Sequence, residues 1–232
     1  MDIAENVAIV RSRIAEAALA AERRPEDIRL VAATKMNDAA RVQQAIKAGV
    51  EICGENRVQE MLEKNAQAAY AGARLHFIGH LQKNKVKQVV GTAALIESVD
   101  SEELMRLIDR CAASKGICQD ILLEVNIGAE ESKSGFTPAQ AMEIAAKMAE
   151  FPHCRLRGLM AIPPVSTYPG ENRRYFAEMR NLFVDISKKK YDNVAMECLS
   201  MGMSGDYADA IAEGATMIRV GTAIFGPRNY NV

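Results

Sequence analysis

Lys35 closes an otherwise apolar run, Leu-Val-Ala-Ala-Thr-Lys. An amine partly withdrawn from water at such a position loses some of its preference for the charged form, which suits attack on an aldehyde or ketone. The plain alternative is a surface lysine at a strand end, and position alone does not separate the two. Two segments late in the chain combine glycine, hydroxyl and charge: Ser200-Met201-Gly202-Met203-Ser204-Gly205-Asp206, and Arg219-Val220-Gly221-Thr222. Glycines let a ligand approach the backbone closely, hydroxyls donate, and a following helix N-terminus adds partial positive charge. Either segment alone also reads as an ordinary tight turn.

These residues need a scaffold that gathers them. After an opening amphipathic helix, short Val/Ile/Leu-rich segments alternate with amphipathic stretches, the pattern of buried parallel strands and covering helices. The strand candidates are Ile28 to Lys35, Glu51 to Gly54, Leu75 to Gly79, Ala94 to Val99, Ile121 to Asn126, Leu156 to Ile162, Val194 to Ser200 and Thr216 to Gly221. Helices are expected from about Asp38 to Ala48, Val58 to Ala69, over LQKNKVKQVV, after an Asp100 or Ser101 cap, from Pro138 to Glu150, Arg173 to Lys189 and Tyr207 to Ala212, with a brief tail after the eighth strand. Thr137, Pro138 and Gln140 make a capping box with proline at the first helical position. Eight such units predict an α/β fold, one (β/α)8 TIM-type barrel domain over residues 1–232 with an extra N-terminal helix. The competing open, doubly wound sheet would announce itself by a glycine-rich turn after strand one, where this chain has Thr-Lys-Met-Asn-Asp.

In such a barrel the functional groups come from the C-terminal ends of the strands, and the loops after strands seven and eight commonly bind phosphate. Lys35, Asn56, the segment from Ser200 to Ser204, and Arg219 to Thr222 all fall there. The pair of late segments then favours a phosphate over two unrelated turns. His76, inside LHFIG, reads as a strand histidine rather than a metal ligand, and no metal site is expected. Lysine plus arginine (29) nearly balances aspartate plus glutamate (30), so no general attraction to nucleic acid or an anionic membrane is expected. Five cysteines without paired spacing read as reduced thiols, and the charged, amphipathic N-terminus is unlike a secretory signal, so the expected location is the cytoplasm.

Several long motifs occur in order: VAATK ending at Lys35, CGENRVQE at Cys53 to Glu60, LHFIGHLQKNK at Leu75 to Lys85, SVDS at Ser98 to Ser101, VNI, SKSGF, RGLMAIP, and LSMGMSGDYADAIAEGATMIRVGTAIFG. In these motifs, over essentially its whole length, the chain resembles the pyridoxal phosphate homeostasis protein family and, through it, the N-terminal barrel domain of alanine racemases. The resemblance implies pyridoxal 5′-phosphate (PLP) carried as an aldimine on Lys35. It places the phosphate with Ser204, Gly221, Thr222 and the backbone near Ser200 and Met201, Asn56 near the ring, and Arg219 at the pyridine nitrogen. Arg57, His80 and Lys83 stand where the family commonly has an aromatic residue, a proline and a serine.

An arginine at that nitrogen cannot hand over a proton, so the ring would be a weak electron sink and turnover would depend on a second base. Racemases take that base from a further β-domain and a partner subunit, whereas this sequence stops at Val232; Tyr168, Tyr207 and His80 are the candidates within it. The expectation is a monomeric carrier that masks the aldehyde and passes it to PLP-requiring apo-enzymes. The rival readings are a weak PLP-dependent racemase or transaminase-like enzyme, and a cofactor-free Schiff-base lyase.

Overall fold

The computed structural model describes residues 2–130, 133–168 and 170–227. Its centre is a closed barrel of parallel strands in sequence order: β1 (Arg29–Ala33), β2 (Ile52–Glu55), β3 (Arg74–Phe77), β4 (Leu95–Val99), β5 (Gln119–Glu124), β6 (Cys154–Met160), β7 (Val194–Ser200) and β8 (Met217–Val220). β8 pairs back onto β1, with Val31 opposite Arg219, and closes the ring. The helices are α1 (Ile3–Ala20), α2 (Ala39–Lys47), α3 (Val58–Ala66), α4 (Val86–Val89), α5 (Glu102–Ser114), α6 (Pro138–Ala146), α7 (Arg173–Lys189), α8 (Tyr207–Ala212) and α9 (Thr222–Phe225).

Alternation along each strand sends one set of side chains into the barrel and the other toward the helices. The inner set packs as its own cluster, Val31, Ile52, Ile78, Leu95, Leu122, Met160, Cys198 and Met217, one from each strand or the residue just after it. The outer set meets the apolar faces of the helices in a second, larger cluster. The extra helix α1 presents Ile3, Val7, Val10, Ile14 and Ala18 as a stripe at helical spacing and packs on α2, α8 and α9. Asn6 ties it down by donating to the Ile224 carbonyl at 2.9 Å. Asp2 with Glu5, and Thr137 with Gln140, form capping boxes; Asp38 and Ser101 cap α2 and α5.

Gly158 shows how tightly the wall is built. The register of β6 shifts against β5 and against β7 around this residue, which has φ +148. A Cβ there would lie 1.8 Å from the Cys198 carbonyl oxygen, so only glycine lets the strands meet.

Three elements differ from expectation. β1 ends at Ala33, so Lys35 lies in the turn after the strand rather than at its last position. LQKNKVKQVV forms a 3-10 turn (Lys83–Lys85) and the single turn α4, with Leu81 and Val90 buried outside the helix and Val86 and Val89 buried within it. The tail after β8 contains the one-turn helix α9, whose first residues face the barrel mouth.

Candidate functional site

The inward parity of β1, β2 and β8 carries directly into the chemistry. Val31 is inward, so Ala33 and Lys35 follow on that side; Ile52 leads to Gly54 and Asn56; Met217 leads to Arg219 and Gly221. At the C-terminal mouth Ala33, Lys35, Asn56, Arg219 and Gly221 line one cavity of about 240 Å³, with Ile78, Ile162, Met203, Ser204, Gly205 and Thr222 completing its wall. Larger clefts sit at the opposite end of the strands, one of them against Arg29, Leu30, Glu51 and Ile52, the end where conservation in barrels serves stability rather than chemistry.

Of the residues singled out in the sequence, Lys35, Asn56, Ser204, Arg219, Gly221 and Thr222 are brought together. Ser200 and Met201 are not at the cavity wall. Met201 is fully buried and its N–H donates to the Met217 carbonyl at 3.1 Å, while the Ser200 hydroxyl points into the barrel interior. Tyr168 is exposed, Tyr207 is buried against the core, and His80 pairs with Asp100 at 3.1 Å on the rim.

The cradle is formed by two loop ends. Between β7 and α8, the Asp206 and Tyr207 N–H groups both donate to the Met203 carbonyl, and the Met203 N–H donates to Asp206 Oδ1 at 2.7 Å. That fold leaves the N–H groups of Ser204 and Gly205 without an acceptor among the described residues, and those of Gly221 and Thr222, which open α9, are likewise uncommitted. Donors of this kind at a loop and a helix start suit an anion. Gly205 faces open space where a Cβ would stand.

Across the cavity, Asn56 Oδ1 is buried and has no partner among the described residues, an acceptor that a ligand donor would satisfy. Gly79 fixes the Asn56 backbone: a Cβ on Gly79 would fall 2.2 Å from the Asn56 carbonyl oxygen. The floor is a buried polar chain. Arg219 Nη1 donates to Ser200 Oγ at 2.6 Å and Nη2 to the Ala161 carbonyl at 2.9 Å. Ser200 Oγ donates to Glu97 Oε2 at 2.6 Å, and His76 Nδ1 meets Glu97 Oε1 at 2.7 Å. Burial by itself would lift the Glu97 carboxyl, but the His76 hydrogen bond and the charges of His76 and Arg219 hold it below its ordinary value. Burial lowers the Arg219 guanidinium, with Glu97 and Glu124 pulling the other way.

Glu97 and Glu124 were missed as candidates, although inward parity with Leu95 and Leu122 marks both. Burial and the neighbouring Asp100 carboxylate push the Glu124 carboxyl up to about 7, against the pull of Arg219 and Lys133. A carboxyl raised in the folded state adds stability below its unfolded pKa, near 4.5, and loses it as pH rises through 7. Glu124→Gln is therefore expected to shrink the fall in stability between about pH 5 and about pH 8 by on the order of 2 kcal/mol, read from urea melts at the two pH values.

Fold and site together define a lysine-bearing (β/α)8 barrel with an anion cradle after strands seven and eight. Residues 3–229 match the family model described as alanine racemase, N-terminal domain. A pyridoxal phosphate homeostasis protein of Aquifex aeolicus is 39% identical over 99% of this chain and 100% of its own. Among solved structures, a protein of Bifidobacterium adolescentis described as unknown superimposes with a TM-score of 0.90 at 40% identity, covering 96% of this chain and 94% of that one. PipY of Synechococcus elongatus, solved with PLP bound, gives a TM-score of 0.84 at 33% identity over 97% of this chain and 100% of that one. The chain belongs to the alanine racemase N-terminal domain family, on the branch of the pyridoxal phosphate homeostasis proteins.

Proposed function

We propose that this protein binds PLP through Lys35 and serves its homeostasis, keeping the aldehyde masked and releasing it to apo-enzymes that require it. The observation that carries the reading is the convergence, in one cavity, of the Lys35 side chain, the unpartnered Asn56 Oδ1, the Arg219 guanidinium and the uncommitted N–H groups of Ser204, Gly205, Gly221 and Thr222. The relative's name and the PLP-bound PipY structure support the same ligand.

When bound, PLP supplies an aldehyde that condenses with an amine, releasing water, and a pyridine ring that withdraws electrons. Lys35 contributes the amine from a half-buried position at the mouth of the barrel. The cradle would receive the phosphate, and Asn56 would border the ring. Arg219 donates hydrogen bonds from a guanidinium that stays protonated, so it orients without giving up a proton. The cavity wall carries Lys35 as its amine and Arg219 as its cation, while Tyr168, Tyr207 and His80 lie elsewhere. That placement favours a carrier over an efficient racemase, which needs a second base on the opposite face of the substrate. We place the protein in the cytoplasm as a monomer of one domain spanning residues 1–232; no described helix is long and apolar enough to cross a membrane.

The test is to mix purified protein with PLP, reduce with borohydride and map the peptides. One added mass on the peptide containing Lys35 is expected, with a visible band lost on reduction. A colourless lysine adduct formed only with a keto substrate would favour the lyase, and amino-acid α-hydrogen exchange well above that of free PLP would favour the enzyme.

A further inference from the structure

Lys35 is flanked on both sides by backbone groups that one buried ammonium controls. On the N-terminal side, the Thr34 carbonyl accepts from Lys64 Nζ at 2.7 Å. On the C-terminal side, the Met36 N–H donates to Glu60 Oε1 at 2.5 Å, and the same oxygen accepts from Lys64 Nζ at 2.7 Å. The remaining Lys64 proton goes to Glu55 Oε1 at 2.7 Å, and Glu55 immediately precedes Asn56 on the cavity wall. An ammonium has three protons, and here each is committed to a segment that bears on the cavity.

Two features show that this is not simply a way of holding α3 to the barrel. Burying charges costs solvation that apolar packing would avoid, yet Lys64 is 6% exposed and Glu55 fully enclosed. Glu55 Oε1 takes further hydrogen bonds from Thr34 Oγ1 at 2.5 Å and Tyr70 at 2.9 Å, while Glu55 Oε2 is buried without a partner among the described residues. The second feature is Met36, which has φ +60, a left-handed conformation that non-glycine residues avoid. That turn redirects the chain directly after Lys35, and Glu60 holds the N–H of the turning residue.

We propose that Lys64, Glu60 and Glu55 act as a positioning clamp that fixes residues 34–36 so that the Lys35 amine meets the ligand aldehyde in reactive geometry. The proposal rests on the reading that Lys35 captures PLP. None of the three lines the cavity, so they act through Lys35 and not on the ligand. Restricting the amine raises its effective concentration at the aldehyde. The phosphate cradle, built from the loops after β7 and β8, makes no use of the clamp. Covalent capture and anion binding are therefore separable.

The Glu60 side chain is 19% exposed, so its substitutions are the tolerable ones. Glu60→Ala removes the acceptor for Met36 and Lys64; Glu60→Gln keeps an acceptor oxygen of the same reach. Stopped-flow absorbance after mixing with PLP reads capture, and calorimetry with inorganic phosphate reads the cradle. Glu60→Ala is expected to slow capture about tenfold, Glu60→Gln to stay within about threefold of wild type, and phosphate affinity to stay within about twofold in both. Glu60→Asp, too short to serve both donors, is expected to be slowed and substitutes for Glu60→Ala should that variant not melt cooperatively. Wild-type capture rates in Glu60→Ala or Glu60→Asp, or parallel losses of capture and phosphate affinity, overturn the clamp while leaving Lys35 in place. Absence of a borohydride-stable adduct at Lys35 in the wild-type protein overturns the underlying reading instead.

Discussion

Lys35→Ala protein mixed with PLP is expected to show no aldimine band and no borohydride-stable mass, while still holding the ligand weakly through its phosphate. Both halves of that outcome come from the way the cavity is divided. The amine is contributed by the turn after β1, while Lys64 is held by Thr34, Glu55 and Glu60, and Lys133 by Glu130 and the carbonyls of Ile162 and Pro163. The N–H groups of Ser204, Gly205, Gly221 and Thr222 are untouched by the substitution and offer charge-assisted hydrogen bonds to a phosphate. Loss of the covalent bond is expected to weaken retention by about a hundredfold or more, equivalent to ~2.7 kcal/mol. Equilibrium dialysis with PLP, beside the same measurement with inorganic phosphate, checks this, since phosphate affinity should be nearly unchanged. A mass still appearing on another lysine would move the capture site away from β1.

The barrel and much of its mouth are legible in the sequence because both follow from short-range periodicity. Short Val/Ile/Leu-rich runs alternating with amphipathic stretches identify eight strands and put Lys35, Asn56, Arg219 and Gly221 at their exits; the inner cluster of the structure then shows that they fall on the inward side. What sequence order cannot convey is closure. Glu97 and Ser200 are 103 residues apart in sequence, and their 2.6 Å hydrogen bond exists only because the ring brings β4 and β7 to face each other across the interior. Ser200 therefore looks like one more hydroxyl of a phosphate loop, whereas its oxygen lies beneath the cavity, between Arg219 and Glu97. Lys64 is hidden for a related reason. On the sequence it is an ordinary helix lysine four residues after Glu60, and only the packing of α3 against the β1 and β2 exits turns it inward. The shortened α4 is the opposite case: LQKNKVKQVV reads as one helix, and the structure keeps only Val86–Val89 as α-helix after a 3-10 turn.

Arg219→Leu tests the floor of the site, and its expected effect is large in stability as well as in binding. The guanidinium is 4% exposed and is the partner of Ser200 Oγ and the Ala161 carbonyl. Removing it leaves two buried acceptors without that donor and the enclosed Glu97 carboxylate without the nearby guanidinium charge, a situation expected to cost about 3–5 kcal/mol. The pH dependence has a definite sign. Glu97 is held below its ordinary value in the fold, so its contribution to stability is present above the unfolded pKa, near 4.5, and lost as pH falls through the folded one. Without Arg219 the carboxyl rises, and acid unfolding should begin at higher pH. Glu97→Gln separates loss of charge balance from loss of packing. In the wild-type background it strands Arg219 and should destabilise, whereas in Arg219→Leu it removes the unbalanced charge and should restore part of the loss. A coupling of about 1 kcal/mol or more between the two substitutions in urea melts is expected. Additive losses would mean that Glu97 does not hold Arg219, and that the cavity-lining guanidinium is positioned by the Ala161 carbonyl and its packing alone.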